Sequence, residues 1–357
     1  MKYDAPIRHF GLLLLETRIK TDWNLFSEQQ RDGIRKSILN FIAGVRNSTV
    51  SLLIYDNKLN ALQGTNEVLE EQQYIKEKSA ALVVEIAKRD WPQKWKNLVP
   101  NLFETARAGE KQMELVLLVF KNLMLEVKEY NDDLPTSRRK DLNNALLHEA
   151  DGIFHFFYQA LELSYGKYKT AKEQNSPTLK KDIVLVTAAL TAIHAYFDLT
   201  PIEYVMTPIY TAFTNSFIFS QILKYNLHAI FCLVLGDIPF RMIACEGILT
   251  LISRKEKEKS DSVKLLFPFE SIKGIEASMK QSTSGDLAID YNYIKALSKV
   301  LIQLGLNHLS IFNPQQLPPN YQQYVLLNDV CVCVCTQSIN SLDFWILCWR
   351  LQLIQVW

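Results

Sequence analysis

Between residues 110 and 130, Met113, Val116, Leu117, Phe120, Leu123, Met124 and Val127 recur at the three- and four-residue spacing of one helix face. Leu115, Leu118, Val119 and Leu125 fill much of the opposite side, so this helix should be covered on more than one face. A cleaner stripe through Leu142, Ala145, Leu146, Ile153, Phe156, Phe157 and Ala160 predicts its partner over 137–163, with 131–135 as the turn. Upstream, the same pattern predicts helices over 5–20, 27–45, 67–89 and 92–108. Ser27 with Gln30 forms a capping box, and Gly109 is a helix stop. Residues 167–178 read as a charged linker. Leu179, Ile183, Val186, Leu190, Ile193 and Phe197 then predict a further helix, followed by others over 209–235, 238–252 and 294–304. Strand-like alternation is absent before residue 325.

Helix pairs at intervals of about 40 to 50 residues match the period of HEAT-type repeats. Each pair can bury one face only against its neighbours. The expected fold is therefore an all-α, HEAT-repeat-like superhelical solenoid of antiparallel helix pairs with a long concave wall.

Charge narrows the partners. With 39 basic and 38 acidic residues in 357, the formal net charge of +1 gives no global field toward nucleic acid or anionic membrane. Apolar content of 48% is ample for a continuous core and argues against disorder. The most apolar stretch, 217–235, is interrupted by Gln221, Lys224, Asn226 and His228, which a lipid-spanning helix would hardly carry at its centre. No signal peptide opens the chain, and a soluble, intracellular protein without membrane contact is expected. Cys232 and Cys245 sit singly in helical patterns, as reduced thiols do.

Catalytic and metal chemistry is not expected. Cys331, Cys333 and Cys335 stand two apart and cannot easily converge with Cys348 on one zinc tetrahedron. His148 and His155 lie off the apolar stripe, and His148-Glu149 lacks the second histidine of a zincin because Gly152 holds that place. Gly166-Lys167 lacks the rest of a phosphate loop, and Ser284-Gly285 lacks the leading glycine of a nucleophile elbow. The chain thus reads as a non-enzyme with no cofactor. Basic clusters remain: Arg138, Arg139 and Lys140 at a helix start, Lys180 and Lys181, and Arg254 and Lys255. They are candidate contacts for RNA phosphates or an acidic partner, with solvated turns as the plainer reading.

One stretch is more specific. From Val83 to Trp95, a helix should end near Asp90 or Trp91, because Pro92 disfavours helical geometry before it. A second helix should start at Pro92, with Asp90 accepting from its first-turn amides. Trp91 and Trp95, four apart, read as core staples of this elbow. Lys88, Arg89, Asp90, Trp91, Pro92 and Trp95 at such a junction resemble the exportins of the karyopherin-β superfamily. Further similar segments run in family order: Ile7 to Leu12 with Trp23-Asn24, Met113 to Val116, Leu134 to Asp141, and Ala244 to Leu249 with Ser253 to Lys255.

The resemblance covers about Ala5 to Phe312. It divides the chain into an incomplete importin-β N-terminal-like region with a loop insert (1–66), a HEAT solenoid (67–312) and an atypical tail of the kind a truncated gene model leaves (313–357). Relative to the family, the chain starts one hairpin late and stops after a minority of the solenoid. What the resemblance implies is a monomeric receptor that shuttles between nucleus and cytoplasm. It would bind Ran-GTP with structured small RNA cargo (microRNA precursors, transfer RNA), pass nucleoporins, and release cargo on GTP hydrolysis. Ran and cargo would each favour a wound solenoid and so raise the other's affinity. The alternatives are a HEAT scaffold subunit without Ran dependence and an import receptor of the same superfamily.

Overall fold

The computed structural model describes residues 4–44, 67–128, 134–197 and 227–254, with scattered helical positions between 292 and 303. The chain divides into two units, 1–196 and 197–357, each taken by itself. Every regular element among the described residues is helical. In the first unit these are α1 (Ala5–Asp22), a 3-10 turn (Trp23–Leu25), α2 (Glu28–Ala43), α3 (Gln73–Asp90), α4 (Leu98–Arg107), α5 (Glu110–Lys128), α6 (Thr136–His148), α7 (Ala150–Glu173) and α8 (Leu179–Tyr196). The second unit holds α9 (Leu227–Val234), a 3-10 turn (Ile238–Phe240) and α10 (Arg241–Ser253).

Helices α1, α3, α5 and α8 pack side by side in a row, and α2, α4 and α7 lie against that row. This is an all-α, HEAT-like helical solenoid. Helix α5 is its centre. It packs against α3, α4 and α8, and Val116, Leu117, Val119, Phe120 and Leu123 are all fully buried. Phe120 lies 5.9 Å from Phe103 of α4 and 5.8 Å, edge-on, from Phe157 of α7, so aromatic packing ties these three helices together.

Local sequence explains several boundaries. The Ser27 hydroxyl accepts from the Gln30 amide and the Gln30 side chain accepts from the Ser27 amide, closing the capping box at the start of α2. Gly44, at φ 73°, ends α2 in the left-handed geometry that glycine tolerates.

Three expectations are corrected. The helix over 92–108 starts only at Leu98, because residues 91–97 form turns. The single helix over 137–163 breaks at Glu149 (φ −90°, ψ 2°) into α6 and α7. Its ladder survives the break: the Glu149 amide donates to Ala145 and the Glu149 carbonyl accepts from Ile153. The charged linker over 167–178 is mostly helix, since α7 runs to Glu173. Tyr165, Tyr168 and Ala171 keep the buried stripe going, while Lys169 and Lys172 lie over the rings of Tyr165 and Tyr168. The insert at 46–66, the helices over 209–226 and most of 294–304, the tail 313–357, Ser284-Gly285 and Cys331 to Cys348 fall outside the described residues.

Candidate functional site at the tryptophan–proline corner

The corner is built from the end of α3. Helix α3 stops at Asp90, and the Trp91 amide donates to the Ala87 carbonyl as its last turn closes. The Trp91–Pro92 peptide is cis. The Asp90 carbonyl then accepts from the amides of both Lys94 (2.7 Å) and Trp95 (3.1 Å), which folds the chain back and buries Trp91 and Trp95.

The Asp90 carboxylate does not cap the next helix. Oδ2 accepts from Arg35 Nε (2.9 Å) and Nη2 (2.7 Å), and Oδ1 accepts from the Trp23 indole (3.0 Å). One buried carboxylate therefore holds α2 and the α1–α2 turn to the end of α3. Lys88 is buried as well, with its ammonium 3.0 Å from Glu85 and 2.9 Å from Glu126 of α5. Arg89 pairs with Glu85 at 2.8 Å and reaches the Lys20 carbonyl of α1. The motif residues are thus structural groups that join three successive helix pairs.

Arg138 belongs to the same joint. Its guanidinium donates to the carbonyls of Lys88 (2.8 Å), Ala87 (3.3 Å) and Trp91, and to Gln93 Oε1 (2.6 Å). These carbonyls lie at the C-terminus of α3, where the helix dipole favours positive charge, and that of Lys88 has no intrahelical donor because residue 92 is proline. Arg138, a candidate ligand contact, thus clamps the end of α3. Of the other basic candidates, Lys140 and Lys180 are exposed and Arg139 is half-buried. Lys181 lies 2.7 Å from Glu110, whose other oxygen takes Lys167 at 2.6 Å. Burial pushes the Glu110 carboxyl up, but these two lysines outweigh it and hold it below the usual carboxylate range. Arg254 donates to the Phe197 carbonyl at 2.9 Å, and Lys255 lies outside the described residues.

A seam of buried ion pairs escaped the reading of sequence. Arg8 of α1 forms a two-pronged bond to Glu71 (2.8 and 2.9 Å), and Lys111 of α5 stands 3.5 Å from the same carboxylate. Lys76 of α3 bonds Glu114 of α5 at 2.6 Å and the Val68 carbonyl at 3.2 Å. Burial pushes Glu71 up, yet the Arg8 bond and the Lys111 and Arg8 charges hold it below its ordinary value. Burial pushes Glu114 up, and Lys76 offsets this only in part. Arg8 lies 63 residues from Glu71, and Lys76 lies 38 from Glu114, so no local spacing announces either pair.

Among the described residues, no group of histidine, cysteine, aspartate and glutamate side chains could hold a metal ion. No helix there is long and apolar enough to cross a membrane. His148 is exposed, and half-buried His155 lies 2.9 Å from the Gln159 amide nitrogen.

Stacked helix pairs locked at a tryptophan–proline corner define a helical-repeat protein of the HEAT-like class. The exportin 1-like protein family model matches residues 72–246, and the importin-beta N-terminal domain model matches residues 1–43. Exportin-5 of Dictyostelium discoideum is 29% identical over 90% of this chain and 25% of its own length. Exportin-5 of Homo sapiens is 27% identical over 90% of the chain and 24% of its length. Protein HASTY 1 of Arabidopsis thaliana is 23% identical over 86% and 23%. These matches support kinship with the exportin/karyopherin-β family over residues 1–43 and 72–246. The chain spans about a quarter of the length of these relatives.

Proposed function

We propose that this chain is part of a nuclear export receptor that shuttles between nucleus and cytoplasm, binding Ran in its GTP state together with structured small RNA. The observation that carries the reading is the joint itself. The family's Lys-Arg-Asp-Trp-Pro motif locks the stretch matched by the importin-beta N-terminal domain model to the stretch matched by the exportin 1-like model, through Asp90, Arg35 and Trp23. Within the karyopherin family the first of these regions binds Ran-GTP. A rigid junction lets a partner held on the first pair bias the winding of the pairs behind it, which is the physical content of coupling between Ran and cargo.

For RNA, the available groups are exposed Lys140 and Lys180, because Arg138 and Lys181 are engaged within the fold. Such isolated lysines supply phosphate attraction and no base readout, so binding of an RNA hairpin should be weak and steeply salt-dependent. Passage past nucleoporins requires apolar surface. A groove of about 410 Å³ lined by Phe103, Ala106, Met113, Phe156, Ala160 and Leu163 offers it.

The test is a pull-down of the 357-residue chain with Ran loaded with GTP or GDP, with and without an overhang-bearing RNA hairpin. Preferential capture of the GTP form, strengthened by RNA, is expected. Equal capture of both forms, or none, contradicts the reading and leaves a scaffold role. Capture of the GTP form weakened by cargo would indicate an import receptor instead.

A further inference from the structure

The turn after Pro92 alternates. Trp95 points inward and is 5% exposed, while Lys94 and Lys96 on either side of it are exposed. Lys94 stands on a ridge between two clefts and lines both. One, of about 510 Å³, opens between the end of α3, the α1–α2 turn and the start of α6. The other, of about 330 Å³, lies between α2 and the turn itself.

Both walls are basic. In the larger cleft Lys20, Arg31, Lys88, Arg89, Lys94 and Arg138 face two carboxylates, Glu85 and Asp90. In the smaller one Arg35, Lys36, Lys94 and Lys96 face Asp32 alone. Much of this charge has structural work. Arg31 donates to the Trp23 and Asn24 carbonyls, and Arg89 and Arg138 serve helix ends in the same way. Glu16, Glu28 and Glu126 reach other cations from outside the clefts. Lys94 and Lys96 form no ion pair within 4 Å among the described residues, Lys94 acting at longer range on Glu28. Both line clefts in which cations outnumber carboxylates.

We propose that an acidic peptide segment of a protein partner docks along this turn, placing carboxylates in the two clefts on either side of Lys94. Recess decides against nucleic acid. A rigid A-form duplex presents phosphates on a broad surface and is read across a wide, shallow groove. These cations line concavities that such a surface cannot enter. Single strands require exposed rings for stacking, and Trp23, Trp91 and Trp95 are each 5% exposed or less. An extended peptide can lower one carboxylate side chain into each cleft while its backbone crosses the ridge. The proposal rests on the charge and shape of these clefts, whose walls include residues of α1 and α2, and not on the Ran and RNA reading above.

The experiment is fluorescence anisotropy of a labelled hexaglutamate peptide titrated with the full 357-residue chain, with hexaglutamine as the control. Lys94→Glu and Lys96→Glu should each weaken hexaglutamate binding about tenfold and flatten its salt dependence. Ser137→Glu is the decisive variant. Ser137 lines the larger cleft in the first turn of α6, where an acidic residue favours the helix, so weaker binding there cannot come from unfolding. Lys140→Glu and Lys180→Glu should leave peptide binding unchanged. Failure of the wild type to prefer hexaglutamate over hexaglutamine would overturn the proposal. So would equal affinity in the Lys94, Lys96 and Ser137 variants, or an RNA hairpin whose binding depends on Lys94 when the peptide's does not.

Discussion

Arg8 and Glu71 show how much rests on single side chains. Both are buried, at 8% and 5% exposure, and each is the other's main hydrogen-bond partner. Truncating Arg8 to alanine leaves a buried carboxylate with only Lys111 nearby, which should cost about 3–5 kcal/mol by equilibrium denaturation. The pH dependence has a definite sign. The folded-state value of Glu71 is lowered, so its stabilisation is present above the unfolded value near about 4.3 and is lost as pH falls through the lowered one. Glu71→Gln should therefore destabilise at pH 7, with the difference from wild type shrinking below about pH 4. A gap that stayed constant or widened in acid would contradict this. Glu114 runs the opposite way: its raised value makes the neutral form the easier one to bury, and its contribution falls as pH rises through that value. At this scale the sequence was half legible. The burial of Trp91 and Trp95 follows from their size and spacing. The Arg8–Glu71 and Lys76–Glu114 pairs depend on helices that meet only after folding.

Among the elements, periodicity was a good guide wherever apolar spacing ran unbroken, as in α5 and α8. It failed where punctuation was misjudged. Pro92 reads as a helix start, but the amides that Asp90 was expected to cap are taken by its main-chain carbonyl, and its carboxylate is held by Arg35 and Trp23. Lysines in 167–173 suggested a linker, although they only decorate the outer face of a stripe carried by Tyr165, Tyr168 and Ala171. The break at Glu149 carries no proline or glycine at the break itself, and nothing in the local sequence explains it. In the second unit, α10 approaches α9 through Gly247, where an added Cβ would collide with the ring of fully buried Phe231. Replacing a helical glycine with alanine ordinarily stabilises by roughly 0.5–1 kcal/mol. Here the overlap should reverse the sign, and Gly247→Ala should destabilise by about 1–3 kcal/mol in a denaturant titration. A neutral or stabilised variant would show that Phe231 moves aside freely.

For the molecule as a whole, the solenoid class was legible because no pair of helices could bury its apolar face alone. The face of α1 opposite Arg8, Leu12 and Ile19 illustrates the point. It presents Ile7, Phe10 and Leu14 at 53%, 61% and 52% exposure, as a helix packed on one side only among the described residues. What the sequence did not reveal is how successive pairs are locked. That depends on Asp90, whose carboxylate links α2 and the α1–α2 turn to the end of α3, with Lys88 carrying the link on to α5. The most direct measurement is hydrogen exchange of Asp90→Ala against wild type, resolved by peptide. Faster exchange is expected across α1, α2 and the last turn of α3, with α7 and α8 unchanged. Unchanged exchange in α1 and α2, or even loosening through α8, would contradict the corner as the joint between neighbouring pairs.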